Sequence, residues 1–383
     1  MKILYDHQIF EYQKTGGISR YFTELINHFG DEIEYKLAIK YSDNEYVSKS
    51  KRYSVLPIID YRKEFLKGIE FYGKGKLFNY ASRLFPQKYP VYYLENLENS
   101  IDELKKQEFD VFHPTFYNSY FLDFIDKKPF VITIHDLTYE IFPEFANVRD
   151  WGYLNMQDLA RKASHIIAIS ENTKKDIIKF YSIDENKISV IYHGVDLPKS
   201  KTPSKIINGN YLLYIGGRNG YKNFLFFVRS ISSILKKKEI NILCIGNEFT
   251  KEEIGLFNQL DIENRMFTYF ANDDQMADLY SNAIALVFPS LYEGFGMPII
   301  EAFSCNCPVV LANTSCFPEI AGEAGLYFNP KNNIEIVEKV NSVINDEQMR
   351  QELINKGRNQ LKHFSWENAA NETIKVYNNV INK

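Results

Sequence analysis

The sequence predicts an α/β protein of two domains, each built on a parallel sheet. Three observations carry this. The chain has 383 residues, 45% of them hydrophobic, which is long for one ordinary domain and apolar enough for two cores. Short apolar runs alternate with longer stretches of helical periodicity, the order that produces parallel sheets with helices on both faces. A run without aromatic residues, Leu197-Pro198-Lys199-Ser200-Lys201-Thr202-Pro203-Ser204-Lys205, divides the alternation into two series and reads as a linker.

The first series of expected strands is Lys2–Tyr5, Tyr35–Ile39, Phe109–Phe112, Phe130–Ile134, His165–Ile169 and Ile188–Tyr192. The second is Tyr211–Ile215, Ile240–Ile245, Met266–Phe270, Ala285–Phe288, Pro308–Leu311 and Leu326–Phe328. Between them, sets such as Ile18, Tyr21, Phe22, Leu25, Ile26 and Phe29 repeat at helical spacing. The domains expected are therefore 1–196 and 208–365, with the boundary near 197–208. A final helix spans 366–382, with Trp366, Ala369, Ala370, Thr373, Ile374 and Tyr377 in phase. No internal repeat or low-complexity segment is present.

Composition narrows the function classes. A net charge of −4 gives no electrostatic footprint for nucleic acid. No apolar run approaches the ~20 residues of a membrane span. Met1-Lys2-Ile3-Leu4-Tyr5-Asp6 reads as a first strand and lacks a signal peptide's apolar core. Cys244, Cys305, Cys307 and Cys316 form no C-x-x-C pair or zinc spacing. They are expected as reduced, packed thiols of a cytoplasmic protein. The histidines show no H-E-x-x-H, and no D-x-D is found, so no metal site is expected.

Two glutamates dominate the reading of function. Glu293 and Glu301 lie in Pro289-Ser290-Leu291-Tyr292-Glu293-Gly294-Phe295-Gly296-Met297-Pro298-Ile299-Ile300-Glu301-Ala302, after an apolar strand. Pro298 suits the first position of a helix, and glycines let a backbone approach a ligand closely. Carboxylates so placed can accept hydrogen bonds from sugar hydroxyls, while loop amides and a helix start can meet a phosphate. Taken singly, Glu301 would be read as a helix-dipole residue and Glu293 as a solvated turn.

Ligands of parallel sheets bind beyond the carboxyl ends of the strands. After Tyr211–Ile215 comes Gly216-Gly217-Arg218-Asn219-Gly220-Tyr221-Lys222-Asn223, then a helix. Cations are unfavourable at a helix start. A bound anion would reverse the sign and draw the dipole, Arg218 and Lys222 together. The first strand leads to a weaker signal, Thr15-Gly16-Gly17-Ile18-Ser19-Arg20, which also suits a plain tight turn. The strand Phe130–Ile134 ends in His135-Asp136-Leu137. That histidine suits hydrogen bonding to a substrate oxygen or proton transfer, and equally a structural pair with Asp136.

The run E-G-F-G-M-P-I-I-E-A resembles the E-x7-E signature of the retaining family-4 glycosyltransferases, whose GT-B fold sets two Rossmann-like domains face to face. The resemblance implies a metal-independent, retaining hexosyltransferase. Its co-substrate would be a nucleoside-diphosphate sugar, GDP-mannose-like above UDP- or dTDP-linked, and its acceptor a saccharide or lipid-linked saccharide in surface polysaccharide assembly. No other cofactor is expected. Arg218 and Lys222 would bind the diphosphate, and Glu301 the ribose. Glu293 with the amides of Gly294, Phe295, Gly296 and Met297 would hold the sugar. Gly16 and Gly17 would face the donor phosphate, His135 would contact the sugar from the opposite domain, and the terminal helix would cross back to the first domain. His193, in Tyr192-His193-Gly194-Val195-Asp196, reads as hinge geometry.

Departures from the family pattern are Asn306, where glycine is usual, and Phe270-Ala271-Asn272-Asp273-Asp274 in the loop expected to read the base. Asn306 can hold the same turn, because Asn tolerates the left-handed region. A nucleotide-sugar 2-epimerase or a non-catalytic sugar-binding protein of the same fold are the alternatives. A nicotinamide dehydrogenase is disfavoured without G-x-G-x-x-G.

Arg62–Lys88 carries seven basic residues against two acidic ones, around apolar stripes of Phe65, Ile69 and Tyr72 and of Leu77, Tyr80, Ala81 and Leu84. This suits peripheral contact with an anionic membrane surface. A pair of amphipathic helices packed on the sheet is the other reading.

Overall fold

A computed structural model describes residues 1–50, 52–69, 71–85, 91–145, 151–196 and 207–382. All twelve expected strands form, with ends shifted by a residue or two at most positions. They are β1 (Lys2–Asp6), β2 (Glu34–Ala38), β3 (Val111–His113), β4 (Val131–Ile134), β5 (His165–Ala168), β6 (Ile188–Val190), β7 (Tyr211–Ile215), β8 (Asn241–Ile245), β9 (Met266–Tyr269), β10 (Ala285–Phe288), β11 (Val309–Ala312) and β12 (Gly325–Phe328). Sheet orders are β2-β1-β3, β4-β5-β6 and β12-β11-β10-β7-β8-β9. In the six-stranded sheet every registered pair is parallel, as crossover helices require. The linker stretch 197–205 lies outside the described residues.

The chain divides into two compact units. The first comprises Met1–Thr133, Val148–Ile167 and Ala370–Lys383, and the second Ile134–Asn147 and Ala168–Ala369. The terminal helix Trp366–Ile381 therefore contributes its residues from Ala370 onward to the first unit. His135 belongs to the same unit as Glu293.

In the second unit, β7, β8, β10 and β11 are apolar on both faces and almost wholly buried, as a doubly covered parallel sheet dictates. Phe227, Val228, Ile231 and Leu235 of the helix Phe224–Lys238 pack on one side, and Ile299, Ile300 and Phe303 of Met297–Ser304 join the same core. Asn306 adopts φ 56°, so it fills the left-handed turn expected of it.

The first unit has a core of Ile3, Leu4, Phe22, Leu25, Ile26, Val111 and Phe112. A polar chain runs through it. Tyr377 of the terminal helix shares hydrogen bonds with Tyr5 Oη at 2.7 Å and His113 Nδ1 at 2.6 Å. Thr133 Oγ1 then meets His113 Nε2 and Tyr21 Oη, each at 3.0 Å. All five side chains are buried, where an unmade hydrogen bond is costly.

The helix Lys74–Leu84 lies within the basic segment and contains no buried residue. Leu66, Ile69, Tyr72, Leu77, Tyr80 and Leu84 are all exposed. The segment's residues Glu70 and 86–88 are outside the described set. Among the described residues no helix is long and apolar enough to cross a membrane.

The polar chain generates a prediction. Tyr377→Phe deletes a hydroxyl that two buried partners use, so it should cost about 1–3 kcal/mol. The urea-unfolding midpoint of the variant should fall accordingly, and a midpoint equal to that of the parent protein would refute the assignment.

Candidate functional site

The site is built on loops at the carboxyl ends of β7 and β10. Beyond β7 the chain turns through Gly216 at φ 111° and reaches a single 3-10 turn, Gly220–Lys222. Asn223, left-handed at φ 57°, then caps the helix Phe224–Lys238. Its Nδ2 donates to Pro289 O at 3.2 Å and Pro330 O at 2.9 Å, which ties the β7 loop to the end of β10. Leu291 N donates to Tyr221 O at 2.7 Å and repeats the tie.

These ties bring Lys222 to Glu293, with Nζ 2.6 Å from Oε1. Burial opposes the charge on Lys222, but Glu293 outweighs it and the ammonium is held above its ordinary value. The Glu293 loop is itself pinned. Glu293 N donates to Ser315 Oγ at 3.1 Å, Cys316 Sγ to Glu293 O at 3.2 Å, and Thr314 Oγ1 to Leu291 O at 3.0 Å.

Arg218 faces a different carboxylate. Nε donates to Glu253 Oε1 at 2.6 Å, and the remaining guanidinium reaches Glu253 Oε2 and the carbonyls of Asn247 and Glu248. Burial disfavours the Glu253 carboxylate, yet Arg218 and the Thr250 amide hold it below its ordinary value.

Glu301 is the fifth residue of the helix Met297–Ser304, one residue deeper than a helix starting at Pro298 would place it, because the helix begins at Met297. It is 8% exposed, and its Oε2 accepts from the buried Tyr280 Oη at 2.7 Å. Gly296, at φ 91°, caps that helix, a conformation that favours glycine. Phe295 is buried between His193, with rings 4.7 Å apart, and Phe364, at 5.8 Å. It is a core side chain and leaves only its backbone for a ligand.

Gly294 makes the tightest approach. A Cβ there would collide with the backbone carbonyl of His135. Its own carbonyl accepts from Ser170 Oγ at 2.7 Å and Thr173 Oγ1 at 3.3 Å. Tyr292 on one side donates to Asp176 Oδ2 at 2.8 Å and accepts from Leu137 N at 3.3 Å. Glu319 caps the helix Glu171–Tyr181 by accepting from Glu171 N at 2.6 Å and Asn172 N at 3.0 Å. His135 thus sits on the Glu293–Gly296 loop. Burial pushes its imidazole down to about 3, so it is neutral at physiological pH. His193, with its ring 6.1 Å away, is also lowered by burial, well below its ordinary value.

Gly16 and Gly17 belong to the first unit. Gly16 is extended, at φ 174°, and precedes the helix Gly17–Asn27. A Cβ on Gly17 would meet nothing within 4 Å, so neither packing nor strain calls for glycine there. Gln13 Oε1 accepts from Ser19 N at 3.0 Å in the first turn of that helix.

Reading the sequence alone missed Glu253, Tyr280, Asn223, Ser170 and the stack of Phe142 on Tyr221, whose rings are 5.7 Å apart. Thr250-Lys251-Glu252-Glu253 does carry a capping-box signature, but nothing local marks Glu253 as the partner of Arg218. Among the described residues no group of three or more His, Cys, Asp or Glu could hold a metal ion.

The two glycines should respond differently to substitution. Gly294→Ala forces the loop off the His135 carbonyl and should cost about 1–3 kcal/mol. Gly17→Ala should leave stability unchanged or slightly raised, within about 1 kcal/mol. Thermal unfolding of both variants checks this, and an equal loss in the two would contradict the packing described.

Comparison with known proteins places this geometry. Residues 15–199 match the family model Glycosyltransferase Family 4, and residues 198–360 match Glycosyl transferases group 1. The O-antigen chain mannosyltransferase RfbU of Salmonella typhimurium is 30% identical over 200 residues, covering 52% of this chain and 56% of that protein. O-antigen chain mannosyltransferase B of Escherichia coli is 24% identical over 395 residues, covering 98% and 99%. Among solved structures, Anabaena HepE in complex with UDP and glucose superposes with a TM-score of 0.72 at 17% identity, covering 98% of this chain and 99% of that one. A TarM variant of S. aureus, solved with UDP among its ligands, gives 0.70 at 13% identity, covering 98% and 99%. These structures share the GT-B fold, and with both family models matched in succession the chain belongs to the family-4 glycosyltransferases.

Proposed function

We propose that this glycosyltransferase moves a hexose from a nucleoside-diphosphate sugar to a saccharide acceptor in surface polysaccharide assembly. The transfer proceeds with retention and without a metal ion. The observation that carries the reading is the Lys222–Glu293 pair, 2.6 Å apart, on loops beyond the carboxyl ends of two parallel strands. There a cation for a diphosphate and a carboxylate for sugar hydroxyls are held side by side. A mannose donor, GDP-linked, is favoured because the sequence relatives named above are mannosyltransferases. UDP- and dTDP-hexoses are the alternatives, and the solved neighbour with UDP and glucose supports keeping them.

Catalysis in this reading is mainly electrostatic. Lys222, with the charge of Arg218, stabilises the negative charge that builds on the departing diphosphate. Glu301 holds the ribose hydroxyls. Glu293 and the amides of the Gly294–Met297 loop hold the sugar. The low basicity of His135 favours a neutral hydrogen-bonding role toward the sugar over proton abstraction. Phe270, 76% exposed at the end of β9, is the candidate platform for the nucleobase.

The experiment is a donor panel of GDP-, UDP- and dTDP-hexoses, followed by nucleotide release before and after exhaustive EDTA treatment. Turnover should survive EDTA, and loss restored by Mg²⁺ or Mn²⁺ would overturn the metal-free reading. In the same assay Glu301→Ala should raise the donor KM and weaken the bare nucleotide. Glu293→Ala should lower kcat and kcat/KM while leaving bare-nucleotide affinity nearly intact. The reverse pattern would interchange the two roles.

The reading extends to an anionic membrane surface, met through the Arg62–Lys88 segment. Support comes from the exposed apolar side chains of Leu77, Tyr80 and Leu84 among Lys74, Lys76 and Arg83. Attraction is worth ~1 kcal/mol per basic residue near such a surface. Sedimentation with anionic vesicles should therefore exceed that with neutral ones and fall steeply with salt. Equal binding to both, or none to either, would reduce the segment to an exposed helix.

A further inference from the structure

Arg218 lies on the loop after β7, yet it is only 9% exposed. Nε donates to Glu253 Oε1 at 2.6 Å, Nη1 to Asn247 O at 2.9 Å, and Nη2 to Glu248 O at 2.7 Å and Glu253 Oε2 at 3.3 Å. The guanidinium carbon stands 4.9 Å from the centre of the Phe249 ring and 5.9 Å from that of Phe224. A guanidinium has five N–H donors in a planar fork. Four are engaged here, which leaves one on Nη1. An arginine held this way cannot swing out as a two-pronged clamp without giving up its protein partners.

Glu253 is held as firmly. It is the third residue of the helix Lys251–Gln259 and closes a capping box with Thr250. Thr250 N donates to Glu253 Oε2 at 2.7 Å, and Glu253 N to Thr250 Oγ1 at 3.2 Å. One carboxylate therefore closes the helix end and fixes the plane of Arg218.

We propose that Glu253 is a positioning residue for the donor site, presenting the last Nη1–H and the charge of Arg218 to the diphosphate and coupling that contact to the loop of Asn247 and Glu248. This rests on the reading of the site as one for a nucleoside diphosphate. The physical advantage is preorganisation. A long side chain ordered by Glu253 during folding loses no rotamer freedom when the anion arrives. The ion pair also keeps Arg218 neutralised beside the helix start while the site is empty.

Calorimetric titration with GDP, UDP and the matching monophosphates tests this in the full chain. Glu253→Gln keeps both capping-box contacts, since Gln serves at that position, but removes the charge. It should weaken diphosphate binding by about ten-fold and lower the preference for diphosphate over monophosphate. A purely structural defect would not move that preference. In an Arg218→Met background the same substitution should cause no further loss, because the effect passes through Arg218. If Glu253→Gln does not fold, Glu253→Asp carries the test. It keeps the charge, withdraws the carboxylate by a methylene, and should show a smaller loss in the same direction. An unchanged preference, tighter binding, or a loss that persists without Arg218 would overturn the role of Glu253 alone. A parent protein that binds no nucleoside diphosphate would overturn the donor-site reading and this role with it.

Discussion

Two cations at the mouth of a parallel sheet each need a carboxylate, and the site is arranged around that need. Arg218 and Lys222 precede a helix whose N-terminal dipole disfavours them, and both are largely withdrawn from water. Unpaired, either would be a strongly destabilising buried charge. Glu253 answers the first at 2.6 Å and Glu293 the second at 2.6 Å. Each carboxylate is in turn fixed by its own element. The Thr250 capping box holds Glu253, and Ser315, Cys316 and the ties through Asn223 hold the Glu293 loop.

The same loop carries a second constraint. Gly294 lies against the His135 carbonyl, and its own carbonyl takes the hydroxyls of Ser170 and Thr173. Glu319 caps the helix that starts beside Ser170. His135 and Ser170 are thereby joined to the loop after β10, so His135 is carried onto the sugar-binding candidates although it lies far from them in sequence.

Strands were legible because a buried parallel strand is a short continuous apolar run. That signal survives even where its ends slip, as in the expected Phe109–Phe112 and the observed Val111–His113. The Asn306 turn was legible because few residues tolerate positive φ. The Glu293–Glu301 spacing and the Arg218–Lys222 loop were legible as residue types in a pattern. Their partners were not, because Arg218 pairs 35 positions away and Lys222 pairs 71 away. The capping box marks Glu253 as a helix-end residue, but no local rule marks it as the partner of Arg218. The helix begins at Met297, one residue before Pro298, and that small shift put Glu301 beyond the first turn and under Tyr280. The buried state of His135 was equally invisible, since H-D-L names a strand end but not what covers it. In the basic segment the sequence left two readings open. The helix Lys74–Leu84, with no buried residue, does not match amphipathic helices packed on the sheet.

The two ion pairs differ in a way that bears on how the proposed donor would be received. Arg218 shares four of its five N–H groups with the protein, and its carboxylate also closes a helix. Breaking that pair disturbs a helix end as well. Lys222 pairs with Glu293 through a flexible stem whose ammonium can turn its three donors to new acceptors. Under the proposed function an arriving diphosphate would therefore draw on Lys222 first. Its oxygens can take over the ammonium at little cost, because one anionic partner replaces another in the same dry setting. Glu293 would then be released at the moment a sugar needs an acceptor for its hydroxyls. Arg218 would stay in place and supply charge from a fixed position. In this division of labour the weaker pair is the exchangeable one and the stronger pair is the frame, which is the order preorganised electrostatic catalysis requires.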